Sequence, residues 1–167
     1  MEFNELIRER FSCRSLSDRD IPHEALDRIF EAARLAPTAV NKQPFKIWAV
    51  ESPEARAKLS ETTNYTFGAG VFLVVGGKNE DAWVRQYDGR SFADVDAAIV
   101  ATHIMLAIHN EGLRSTHGSD ISTRPNSKRH SLRWQTTTSS PSSPSATRPK
   151  RASPPRAIRS AKLQWKS

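Results

Sequence analysis

The sequence predicts a layered domain of helices and strands that stops short of completion near residue 113. Three observations lead there: an amphipathic helical stripe early in the chain, two strand-like apolar runs, and the loss of core-forming residues beyond Thr116. The 167 residues are 37% hydrophobic, an ordinary value for one domain, and the net charge is +7. These averages conceal a split. Residues 1–116 carry 14 Lys/Arg and 17 Asp/Glu, whereas residues 117–167 carry 11 Lys/Arg against one acid, Asp120, with 12 Ser and 6 Pro. The positive charge belongs to the tail.

Each element has its own signal. In "NELIRERFS", Leu6, Ile7 and Phe11 fall at helical spacing behind Asn4, a possible cap. In "DRDIPHEALDRIFEAARLAP", Asp20 and Pro22 mark a start and Pro37 a stop. Between them Leu26, Ile29, Phe30 and Ala33 make an i, i+3, i+4, i+7 stripe. "FKIWAVE" alternates like a half-buried strand, and "SPEARAKLSE" reads as a short helix opened by Ser52 and Pro53. "AGVFLVVGG" is a continuous apolar run, the pattern of a strand covered on both faces. "SFADVDAAIVATHIMLAIHNEGL" predicts a central buried helix, apolar at Val95, Ala98, Ile99, Met105, Leu106 and Ile108. Ser91 and Asp94 form its expected capping pair and Gly112 its stop. Two strands alone make a poor sheet.

Several function classes fall away. Cys13 is the only cysteine, so no intrachain disulfide can form and nothing argues for secretion. The N-terminus lacks a signal-type apolar core, and no run approaches the ~20 apolar residues of a membrane span. A soluble, cytoplasmic protein is the expectation, with no membrane partner. His103 and His109 lie six apart and do not share a helix face as a metal pair would, so no metal site is expected. "GAG" and "VVGG" are too short for a phosphate loop. Cys13 lies beside two arginines that could lower its pKa, but a packed or merely exposed thiol is the favoured reading.

Two stretches could carry chemistry. In "RERFSCRS", Arg10, Ser12 and Arg14 offer two guanidiniums and a hydroxyl in one neighbourhood, which suits a phosphate. Taken alone, the stretch is more simply a solvated charged turn. In "LAPTAVNKQP", two prolines bracket small and polar groups (Thr38, Ala39, Asn41, Gln43), giving a stiff loop that could present amides to a ligand. Taken alone, a plain helix-to-strand connection is slightly favoured.

Together, at this separation, "RFSCR" and "APTAVNKQP" resemble the nitroreductase-like family of FMN-dependent oxidoreductases, and "DAAIVATHIMLAIHNEGL" resembles that family's central helix. The resemblance covers residues 1–113. It implies an α+β layered fold, with a central, mostly antiparallel sheet flanked by helices, incomplete here at the C-terminus. By position it implies that Arg10, Ser12 and Arg14 hold the FMN phosphate and ribityl chain. Pro37, Thr38 and Ala39 would line the flavin ring, and Asn41 would bond at its edge. It further implies a homodimer with flavin at the subunit interface, NAD(P)H as electron donor, and a nitro compound, quinone or similar small-molecule acceptor. The chemistry would be the cofactor's, so no catalytic side chain is named.

The resemblance breaks after "EGL", where Arg114 replaces an expected Gly. Residues 1–116 are therefore read as the N-terminal part of a flavin-binding domain, and 117–167 as a basic Ser/Pro/Arg-rich tail, expected to be disordered. One literal reading of the tail is phosphate neutralisation on RNA or DNA, with Trp134 and Trp165 available for stacking, but no recognised binding fold accompanies them. Specific nucleic-acid binding is not expected. Another is an inactive dimerisation partner of an intact paralogue. The favoured reading is a shifted reading frame. Moved by one base, TC-type serine codons acquire a middle T, which always encodes an apolar residue. Threonine codons then give polar residues and proline codons small ones. "TTTSSPSSPS" so becomes three polar, two apolar, one small, two apolar, one small and one apolar, a strand pattern. On that reading the chain as given is expected to bind FMN weakly or not at all.

Overall fold

The apolar run expected to be covered on both faces forms β2 (Val71–Gly77), whose first six residues are all buried. It lies inside the sheet of the computed structural model, which describes residues 1–118 and 133–139. Around it, in chain order, are α1 (Phe3–Glu9), α2 (His23–Arg34), β1 (Phe45–Val50), α3 (Pro53–Ser60), α4 (Ala93–Asn110), β3 (Arg114–Gly118) and β4 (Arg133–Ser139). The strands run β1-β2-β4-β3, and every adjacent pair is antiparallel. The α+β architecture with a mostly antiparallel sheet is as expected.

Most elements follow their local signals. α2 buries Ala25, Leu26, Ile29 and Ala33, the predicted stripe, while Phe30 is half-buried against the same core. Ser52 caps α3 by accepting the Ala55 amide at 3.2 Å, with Pro53 in the first turn. β1 alternates half-buried and exposed residues along most of its length. α4 ends in a turn where Gly112 adopts φ 76°. There the Leu113 amide bonds the Ile108 carbonyl and the Gly112 amide that of His109, a paired closure that needs a left-handed residue. One cluster of Ile29, Val71, Leu73, Val75, Val100, Ile104 and Ile108 joins α2, β2 and α4. Each fully buried side chain of this size contributes roughly 1.5–3 kcal/mol.

Some details differ from expectation. α1 begins without a side-chain cap and ends at Glu9, because Arg10 turns extended and Ser12 pairs with Ser115 instead. The Ser91–Asp94 capping pair does not form. Ser91 accepts the Ala93 amide at 3.3 Å and donates to Asn79 at 2.9 Å, while Asp94 Oδ1 has no hydrogen-bond partner among the described residues. α4 is buried along only one face, with Val95, Ala98, Ile99, Met105 and Leu106 half-buried on the other. β3 and β4 go beyond the two strands read from the sequence. Residues 133–139, in the tail, run between β2 and β3 in register Val75↔Trp134 and Thr116↔Thr137. Readings that concern residues 119–132 and 140–167 lie outside the described residues.

Candidate functional site

Both candidate stretches touch α4. The first leaves α1 at Arg10 and runs beside β3, where the Cys13 amide donates to the Ser115 carbonyl at 2.9 Å. Leu16 then donates its amide to Phe67, and Cys13 and Leu16 pack with Ala69 and Phe72 in a second small core. Burial of every second or third residue leaves Arg10 and Ser12 half-buried and Arg14 exposed. Arg10 reaches Met105 Sδ on α4 at 3.6 Å, a weak acceptor, and among the described residues neither Arg10 nor Arg14 has a carboxylate partner. Two guanidiniums flanking a hydroxyl without internal neutralisation can grip an anion with paired hydrogen bonds. Cys13 is buried with Sγ against the Ser15 carbonyl at 3.2 Å, as a packed thiol.

More positive charge gathers behind this stretch. The Arg114 guanidinium lies 5.7 Å from the Phe11 ring and approaches His109 Nδ1 at 3.3 Å. A guanidinium can only donate, so Nδ1 is the bare nitrogen and Nε2 carries the hydrogen, buried with no hydrogen-bond partner among the described residues. Burial pushes the His109 pKa down; Arg114 and Arg10 push the same way, against Glu9. His117 is lowered by burial and then by Arg10. Both imidazoles are held towards the neutral form.

The second stretch is built differently. After α2 the chain passes Pro37 and makes a 3-10 turn at Ala39–Asn41, in which Val40 sits at φ 46°, Asn41 at 56° and, beyond it, Gln43 at 51°. None of these is glycine. A β-branched residue in the left-handed region is a genuine outlier, and strain of this kind costs about 1–3 kcal/mol per residue, less for Asn. The exposed Val40 is not compensated by burial. Polar contacts hold the turn: Thr38 Oγ1 accepts the Gln43 amide at 3.0 Å, Asn41 Oδ1 accepts Gln43 Nε2 at 3.1 Å, and Asp96 Oδ1 accepts the Ala39 amide at 2.9 Å. Pro37 and Asn41 are exposed, and Thr38 and Ala39 half-buried.

Within one chain the two stretches touch α4 at different levels. Asp96 and Met105, their respective contacts on α4, are nine residues apart, or ~14 Å along a helix. Asp96 was not singled out from the sequence. A signal was available, since it shares the buried stripe of Ala93, Ala97 and Val100, where a carboxylate is out of place. Arg114 stood out only as a departure from Gly. Among the described residues no group of three or more His, Cys, Asp or Glu could hold a metal ion, and no helix is long and apolar enough to cross a membrane.

Comparison with known proteins follows the same outline. The model of the nitroreductase family matches residues 7–65. A Methanothermobacter thermautotrophicus protein, assigned by name to the NADH dehydrogenase/NAD(P)H nitroreductases, is 32% identical over 116 residues, 68% of this chain and 58% of that protein. This chain thus spans less than two thirds of that relative's length. A nitroreductase family protein of Clostridium difficile 630 superposes with TM-score 0.78 at 28% identity, covering 86% of each chain. An Exiguobacterium sibiricum nitroreductase structure determined in complex with FMN superposes with TM-score 0.74 at 17% identity, covering 92% of this chain and 94% of that one.

Proposed function

The chain belongs to the nitroreductase family, and from that premise we propose that it is an FMN-dependent oxidoreductase. It would move electrons from NAD(P)H to a nitroaromatic, quinone or similar small acceptor. The observation that carries this reading is the strained turn at Val40, Asn41 and Gln43, fastened to α4, with Asn41 and the preceding Pro37 exposed. Backbone strain of this kind persists where a site requires it. FMN, when bound, supplies the hydride and electron chemistry itself.

The chain's own residues would bind and orient the cofactor. Arg10 and Arg14 would grip its phosphate, with Ser12 adding a hydroxyl bond; their lack of internal carboxylate partners fits that task. Pro37, Thr38 and Ala39 would lie against the flavin ring, and Asn41 would bond at its edge.

Because the two stretches are separated along α4, we propose a homodimer in which one flavin draws on both subunits. The half-buried apolar face of α4 supports this. Val95, Ala98, Ile99 and Thr102 line an open depression of about 400 Å³ with Arg90 and Asp94, the kind of surface a partner covers. A cytoplasmic location goes with this reading.

For the tail we propose that residues 117–167 are translated from a shifted frame. Resequencing the DNA through codons 110–125 tests that, and a clean in-frame read in related strains would sink it.

The visible spectrum of the purified full chain, loaded with FMN and freed of excess, tests the cofactor. A flavin band at about one per subunit supports the reading for this chain. A colourless protein overturns cofactor binding by this chain, the result the shifted tail predicts, and leaves the family assignment intact.

A further inference from the structure

The side chain of Asp96 is the least expected group in the core. It is 1% exposed, among the largest fully buried side chains, and sits on α4 between Ala93 and Val100. Oδ1 accepts the Ala39 amide at 2.9 Å, while Oδ2 has no hydrogen-bond partner among the described residues. No Lys or Arg forms a salt bridge with it there. A buried carboxylate with one oxygen unsatisfied is unfavourable, so a role in folding alone would be better served by an apolar residue of similar size. What it holds is the first amide of the strained turn. The turn's bonds from Gln43 to Thr38 and Asn41, and the Asn41 and Lys42 amides to Thr38 and Ala39, are internal to it. Its outside ties among the described residues besides Asp96 are the Lys78 amide, which donates to the Pro44 carbonyl at 2.7 Å at the far end, and a long Lys42 ammonium contact to the Ala82 carbonyl, at 3.4 Å, so Asp96 is the tie at the start of the left-handed run.

We propose that Asp96 is a positioning residue. Its carboxylate fastens residues 37–44 in the left-handed form in which they meet the cofactor. The role in flavin binding rests on the function proposed above; the holding of the turn does not.

The test uses the full-length chain in two measurements. The first is hydrogen exchange, without FMN, over peptides covering 37–44 and, as reference, β2. D96A should make exchange in 37–44 about tenfold faster while β2 is unchanged. D96N, which keeps an oxygen for the Ala39 amide, should stay within about threefold of wild type. Should D96A fail to fold by circular dichroism, D96S carries the same comparison, since its hydroxyl is one bond too short. Unchanged exchange in 37–44, equal acceleration of 37–44 and β2, or a D96N as loose as D96A would each overturn the proposal. The second measurement is FMN affinity by quenching of flavin fluorescence. It should fall about tenfold in D96A and be largely recovered in D96N; loosening without loss of affinity overturns the cofactor half of the proposal. A wild-type chain that takes up no FMN sinks the flavin reading, while the exchange comparison still decides whether Asp96 holds the turn.

Discussion

Residues 10–16 and residues 37–43 both dock on the domain beside α4, yet they are held by opposite means. The first stretch is extended, joined to β3 by backbone pairing at Ser12 and Ser115, and anchored by Cys13 and Leu16 in an apolar pocket. Its arginines project from a relaxed, well-anchored backbone. The second has few buried side chains, keeps three non-glycine residues at positive φ, and relies on polar fastening. Hydrophobic anchoring is non-directional and tolerates adjustment, whereas a hydrogen-bonded turn is all geometry. One stretch supplies charge at a sturdy edge; the other supplies shape at stored backbone cost.

The largest expected effect separates the anchors. Leu16→Ala should destabilise the domain by about 2–5 kcal/mol in denaturant melts, because it empties a site shared with Phe72 and Ala69. A change below half a kcal/mol would show that the first stretch is not anchored by burial.

Glycine sharpens the contrast next. Val40→Gly should stabilise the chain by about 1 kcal/mol, since relief of positive-φ strain exceeds the added unfolded-state entropy. Cys13→Gly, at a buried residue, should destabilise. Melting both variants checks the signs; destabilisation by Val40→Gly would mean that the turn is not strained as built.

The smallest effect is acid dependence. His109 and His117 have folded pKa values below their ordinary value, chiefly through burial. The unfolded chain therefore binds protons that the folded one refuses. Stability is complete above about 6.5, the unfolded value, and declines as the pH falls from there towards the folded values. Between pH 7.5 and 5.5 the melting temperature should drop by a few degrees, and exchange should quicken around β3 and residues 10–14. Residues 37–43 contain no histidine and should respond only through global unfolding. Equal local loosening of both stretches would erase the distinction.

Legibility followed physics. α2 and β2 could be read directly, because a 3.6-residue stripe and an unbroken apolar run are properties of neighbouring residues. β3 could not. "RSTHG" has no apolar alternation, and Ser115 and Thr116 are buried only because strands and α4 surround them. The candidate residues Arg10, Ser12, Arg14, Pro37, Thr38, Ala39 and Asn41 came from the resemblance carried by their two motifs together. Their separation into two places along α4 was not visible, since it depends on how the chain returns to that helix. Asp96 was hidden by the habit of reading acids near a helix start as capping or solvent-facing groups.

By itself, then, the sequence determined the helices, the central buried strand, the two motif stretches and the shift of composition near residue 116, all of which are written in local pattern and composition. Tertiary structure alone decided which polar residues became interior and which backbone angles were imposed. Val40, Asn41 and Gln43 would not choose left-handed angles in a free peptide. They adopt them because the ends of the turn are pinned by Pro37, Pro44 and a carboxylate 57 positions away from Ala39. A constraint of that kind becomes energetic only once the helix carrying it has packed.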